Sequence, residues 1–253
     1  MSHLTSNKAR LGAIKGVLFM RIQELTTPAA LSRNAIVAVA SFLLLMLLRL
    51  DVDNAASRYQ GLVAGLFVLK FLPIFCLTKG GETLRSELKE GTIEYLWVRP
   101  ASKVELYLGF MLSGFLGTFS IVGSALVGIS LAGLALGALG GGAFLSLWLT
   151  VVVVVASFTA ISGAISSFSS KFVVLGIFYY SFVELGLGAI PNGVQRLAVS
   201  FHAKTLLNGL TSGDGNLELN SFAWILATGL IGIVLGAAIF SQSRYVVGSE
   251  KEA

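Results

Sequence analysis

The chain has 253 residues, of which 55% are hydrophobic and 12% charged, with a mean hydropathy of +0.83. That excludes an ordinary soluble domain, in which roughly a quarter of residues carry charge. The net charge of +5 calls for no nucleic-acid partner, because the cations fall at helix ends, and the lone Cys76 can close no disulfide within the chain.

Residues 1–33 read as a basic cytoplasmic lead-in. Leu11, Ile14, Leu18, Ile22 and Leu25 share one face at helical spacing with Lys15 and Arg21 beside it, as in an amphipathic helix lying in a membrane interface. No uninterrupted apolar stretch precedes Ala35, so the sequence predicts no cleaved secretory signal. Crossing a membrane as a helix takes about 20 apolar residues, because every backbone polar group must be satisfied within the segment. Six runs qualify, at 34–50, 61–78, 106–131, 144–168, 172–190 and 222–242. The expected fold is therefore all-α and integral to the membrane, with six transmembrane helices in 34–242, a cytoplasmic connection at 79–104, an external loop at 191–221 and a tail at 243–253. Runs this long and continuous are not barrel strands. The 29 glycines suit close helix packing.

Lysine and arginine placement sets the orientation. With both termini on one side, the other side holds only Arg49, Arg58, Arg196 and Lys204, and Lys70 lies inside a helix. The positive-inside rule then puts both termini and the 79–104 connection in the cytoplasm, in an inner (plasma) membrane.

That connection, about 27 residues long, exceeds the usual turn between bundle helices. Leu84 and Leu88 at i, i+4 among charges predict a short helix over 82–90, which Gly91 breaks. Thr92 is placed to cap a second short helix through Glu94 and Trp97, and Pro100 ends it. Tyr95, Leu96 and Trp97 beside Glu90, Glu94 and Arg99 make the aromatic and charged mixture of a docking surface. A solvated loop with its aromatics at the headgroups has the same composition.

The stretch ELKEGTIEYLWVRPASKVELYLG, 87–109, resembles the cytoplasmic segment of the ABC-2 type permeases through Glu87, Glu90, Gly91, Thr92, Glu94, Leu96, Pro100, Ser102 and Lys103 in that order. It departs at Trp97, Val98 and Arg99, where that family often has smaller or apolar residues. The resemblance implies the membrane half of an ATP-binding-cassette exporter, in which two permease subunits, alike or different, sit on two ATPase subunits. It also implies that 91–100 is the coupling helix that enters a cleft on the ATPase, with Tyr95, Leu96 and Trp97 as apolar anchors and Glu87, Glu90 and Glu94 as the polar rim. Thr92, Arg99 and Pro100 belong to the same contact. In that family the lead-in helix also touches the ATPase, and the second and fifth helices line the substrate route.

No phosphate-binding G-x-x-x-x-G-K-[ST] loop occurs in the chain; Lys15 stands between Gly12 and Gly16 rather than after the second glycine. Any ATP and Mg are thus expected on a separate ATPase subunit, and no cofactor on this chain. No enzyme activity is expected of it, since serines beside glycine at 113, 124 and 162 read as packing residues. His202 is near enough in sequence to pair with a helix-end serine, but catalysis needs a base in reach of a nucleophile, and no residues have metal-ligand spacing.

Lys70 and Glu184 lie well inside membrane runs, where a charge costs about 2.5–3.5 kcal/mol and tends to find a partner. They are candidates to pair within one subunit or across a dimer along the route, or else to be satisfied separately. Phe178, Tyr179, Tyr180 and Phe182 are candidates to contact an amphipathic substrate or to pack. Val194, Leu197, Ala198 and Phe201 predict a short amphipathic helix dipping back over the exit, and TSGDGN, 211–216, is turn chemistry. Two other readings remain: an ion- or proton-coupled carrier with Lys70 and Glu184 as its relay, and a membrane anchor subunit that transports nothing. An apolar route suits lipids, drugs and peptides alike.

Overall fold

Local chemistry decides where the helices start and stop. The computed structural model describes residues 2–50, 54–90, 102–190, 193–212 and 218–242, with the side chains of all of these but 2–13, 49–50, 90, 189 and 209–212. Helix α1 (Ser2–Leu25) is parted from α2 (Pro28–Met46) at Thr27, whose backbone is extended and whose hydroxyl accepts from the N–H of Ala30 at 3.3 Å. Pro28 then supplies a first helical residue with no N–H to leave unpaired.

The second rod is longer. Helix α3 (Ala55–Gly61) runs through a π-helical stretch, Leu62–Phe71, into α4 (Leu72–Lys79), and after Gly80 and Gly81 the chain re-enters helix as α5 (Glu82–Glu90). Helix α6 (Lys103–Ala135) opens on a capping box: the Glu105 N–H donates to Ser102 Oγ at 3.2 Å, and the Ser102 N–H donates to Glu105 Oε2 at 3.0 Å. A turn with Gly137 in the left-handed region (φ 66°) leads to α7 (Gly141–Phe168). Helix α8 (Phe172–Tyr179) continues as a second π stretch, Tyr180–Gly186, and α9 (Val199–Ser212) and α10 (Leu219–Gln242) complete the described residues.

Among the described residues every regular element is helical, and five segments are long and apolar enough to cross a membrane: Pro28–Met46, Ala55–Lys89, Lys103–Ala135, Gly141–Phe168 and Leu219–Gln242. By length and composition the chain is a multi-pass membrane protein. The apolar helix Phe172–Gly186 is shorter than the run expected over 172–190. At about 1.5 Å per residue it rises roughly 22 Å against a hydrocarbon core of about 30 Å. It stops because the chain doubles back there: a Cβ on Gly188 would stand 3.4 Å from that of Ala198.

Helix α7 is the hub. Its hydroxyls donate to main-chain carbonyls on three neighbours: Ser146 to Leu206 of α9 at 3.0 Å, Ser157 to Ile225 of α10 at 2.6 Å and Ser162 to Leu77 of α4 at 2.7 Å. Gly229, Gly232 and Gly236 form one stripe on α10 that lets its backbone lie against Ser157, Ala160 and Ala164. The main core gathers Tyr59, Leu72, Leu126, Val154, Phe158 and Ile225 around this helix.

The lead-in runs beside α6, with Ile14 and Val17 at Gly109 and Arg21 at Gly117. Helix α2 continues the same track, Asn34 Nδ2 donating to Ser120 Oγ at 2.7 Å and the Ala38 carbonyl pressing on Gly128. Ile14, Val17 and Arg21 thus make the contact with α6, while Ile22, on the face expected to lie in a membrane interface, is 51% exposed. Glycines on α6 decide this, because they open a seat for α1 that the periodicity of α1 alone does not reveal.

Candidate functional site

The second rod reaches past its apolar part as α5, the polar helix that begins the long connection. Its apolar edge is used: Leu84 is fully buried among Leu106, Tyr107, Phe110, Met111 and Phe240, with Leu88 and Val17 packed alongside. The bend above it is tight. A Cβ on Gly80 would meet Thr159 Cα at 2.9 Å, and one on Gly81 would meet Ser166 Cβ at 2.7 Å, so only glycine lets the rod turn against α7 here. Lys79 Nζ and Glu82 Oε2 close the bend with an exposed ion pair at 2.8 Å.

The far end of the connection is held as well. Beyond the Ser102 capping box, Lys103 Nζ donates to the Ser241 carbonyl at the end of α10 at 3.2 Å. Both flanks of the connection are therefore fixed to the bundle. Of the coupling candidates, Glu87 and Glu90 lie on α5, Glu87 half-buried. Gly91, Thr92, Glu94, Tyr95, Leu96, Trp97, Arg99 and Pro100 lie outside the described residues.

The two charges expected inside the membrane do not meet within the chain. Each occupies one of the π stretches, but Lys70 is exposed and Glu184 is 3% exposed. The Glu184 carboxylate is taken up locally: Tyr179 Oη donates to Oε1 at 3.1 Å, the Val199 N–H to Oε1 at 3.3 Å and the Ser200 N–H to Oε2 at 2.8 Å. Those two amides open α9, where unpaired N–H groups favour an anion. Glu184 is therefore the cap of α9. Tyr180, buried, turns to the first π stretch and donates to the Leu69 carbonyl, whereas Phe178 and Phe182 stack on each other on the exposed side, ring centroids 4.3 Å apart. The four aromatics thus divide between two faces.

The external element is displaced from its expected register. Val194 and Leu197 belong to a 3-10 turn and are 38% and 58% exposed; the buried face is Ala198, Val199, Ala203, Leu206 and Leu207. The helical spacing of 199, 203, 206 and 207 was present in the sequence and marks the true helix. His202 does meet a helix-end serine: Ser221 Oγ stands 3.2 Å from Nδ1 and donates to Glu218 Oε2 at 3.1 Å, while Nε2 faces the Arg196 carbonyl at 2.8 Å. Trp224 stacks on the imidazole. His202 and Ser221 are 5% and 3% exposed, and the chain of contacts ties α9 to α10.

Compared with known proteins, the chain matches no family model, no curated protein and no solved structure.

Proposed function

We propose that the chain is the permease subunit of an ABC-2 type exporter, driven by ATP hydrolysed on a separate ATPase. In this reading two permease subunits, identical or not, sit on two copies of the ATPase, which binds ATP and Mg. The Phe172–Gly186 helix with the turn after it serves as the fifth of six spans, and both termini and the connection face the cytoplasm. The substrate is a lipid, a drug or a peptide-like molecule.

The observation that carries the reading is the double anchoring of the connection. A push on 91–101 reaches the bundle through Leu84 at one flank and through Lys103 at the other. Packed interiors transmit such displacement because they have little free volume. A passive loop needs no buried leucine and no capping box at its ends. The carrier reading draws no support from the geometry, since Glu184 is occupied by the amides of α9 and Lys70 lies apart from it.

The test is purification of the chain with its candidate ATPase, comparing wild type with Glu94→Lys and Trp97→Ala. Co-elution and stimulated ATP hydrolysis in wild type, lost in both variants, are the expected result. Failure of any ATPase to bind the wild-type chain overturns the proposal.

A further inference from the structure

At the end of α10 away from Ser241, roughly 30 Å off at about 1.5 Å per residue, three elements meet on one imidazole. His202 of α9 sends Nε2 to the Arg196 carbonyl of the 3-10 turn Val194–Leu197 at 2.8 Å, and that nitrogen carries a hydrogen because a carbonyl can only accept. Ser221, in the first turn of α10, donates to Glu218 Oε2 at 3.1 Å. A hydroxyl has one hydrogen, so Ser221 Oγ meets Nδ1, 3.2 Å away, as an acceptor, and Nδ1 carries a hydrogen as well.

An imidazole protonated on both nitrogens is a cation, and at 5% exposure it needs a counter-charge. Glu218, exposed at the head of α10, supplies one through the serine. Trp224 lies nearly parallel to the imidazole with ring centroids 5.9 Å apart, within the range over which an indole face attracts a cation. The other ionisable groups on elements packed against α9 do not take this role. Glu184 is held by the Val199 and Ser200 amides, Arg196, Lys204 and Lys70 are exposed cations, and the segments 141–168 and 219–242 contain no ionisable side chain.

We infer that His202, Ser221 and Glu218 form a proton-operated clamp that ties α9 and the 3-10 turn to α10. On the acid side the Nδ1 hydrogen, the serine hydroxyl and the carboxylate make a continuous relay, and the clamp is closed. As pH rises, the Nδ1 hydrogen passes to Ser221 Oγ, the hydroxyl hydrogen passes to Glu218, and the exposed carboxylate releases it to water. The imidazole is then neutral, Ser221 turns its hydrogen to Nδ1, and Glu218 and Trp224 have no cation to hold. The inference rests on these contacts alone and stands whether or not the exporter reading does.

The test uses the full chain in detergent with His3→Gln, which leaves His202 as its one histidine, labelled with nitrogen-15. Ring-nitrogen NMR from about pH 5 to about pH 9 is expected to show both nitrogens protonated at the acid end and Nδ1 bare at the alkaline end. Hydrogen exchange of 199–208 and 219–226, corrected for the intrinsic effect of pH, should quicken about tenfold over the same transition, the worth of a hydrogen bond to a charged group. Glu218→Gln, at an exposed position, keeps an acceptor for Ser221 without the charge, and the proton affinity of the ring should fall about tenfold. Ser221→Ala breaks the relay and should act in the same direction, so the test does not hang on one variant. A ring that holds one charge state across the range, a transition that exchange in α9 and α10 does not follow, or a titration that neither variant moves overturns the inference.

Discussion

Tyr180 donates its hydroxyl hydrogen to the main-chain carbonyl of Leu69 at 3.1 Å, and so joins the two π-helical stretches side by side. The carbonyl is available for a reason written in the sequence: Pro73, four residues on, has no N–H to offer it. Widened helical turns recur where a backbone group serves something outside its own helix. Tyr180→Phe keeps the ring and removes the donor, and is expected to cost about 1 kcal/mol in thermal unfolding in detergent. An unchanged midpoint would mean that the carbonyl has another donor.

Glu184 as the cap of α9 predicts a graded series. Glu184→Ala strips the acceptor from two amides, Val199 fully enclosed, and is expected to cost about 1–3 kcal/mol for each donor left unpaired. Glu184→Gln, which keeps one acceptor oxygen, should lose less. Hydrogen exchange at the amides of 199 and 200 should quicken in the alanine variant first. A series in which transport changes while those amides stay protected would return Glu184 to the substrate route.

Leu84→Ala opens a cavity in the small core under α5. The expected loss is about 2–5 kcal/mol, the range for a buried leucine cut to alanine. If this core also transmits the motion of the connection, the variant should still bind the ATPase but hydrolyse ATP without moving substrate. Loss of stability with coupling intact would show that α5 is a passive support.

On α10, a Cβ at Gly232 would stand 3.1 Å from the Ala160 carbonyl carbon and 3.2 Å from the Ile161 nitrogen, both backbone atoms that cannot yield. Gly232→Leu should therefore force α10 off α7 and cost about 1–3 kcal/mol, seen as a lower melting midpoint and as easier proteolysis near residue 218. Leucine at Leu230, which is 61% exposed, is a fitting contrast: Leu230→Ala should leave melting nearly unchanged.

The long apolar runs made the membrane helices legible in the sequence, because length and hydropathy are properties of one segment at a time. What stayed hidden depends on two segments at once. The seat of α1 is set by Gly109 and Gly117 on a helix ninety-odd residues away, and the apolar spacing of α1 carries no sign of it. Lys70 and Glu184 invited pairing by sign and depth, but the free amides of α9 compete better for the carboxylate at 2.8 and 3.3 Å. The capping box at Ser102 and Glu105 is written in the sequence as Ser-x-x-Glu, beside the more conspicuous Thr92.

The hydroxyls of α7 also impose an order on how the protein is made. Chains are synthesised from the N-terminus, so when α7 enters the membrane only Leu77 among its three acceptors already exists. Leu206 and Ile225 have yet to emerge, and the groove of Ser157, Ala160 and Ala164 is still unfilled by α10. Helix α10 is in this sense the latch of biogenesis: its glycine stripe fills the groove and its Ser241 carbonyl receives Lys103, so these contacts close only after the helices before it have been made.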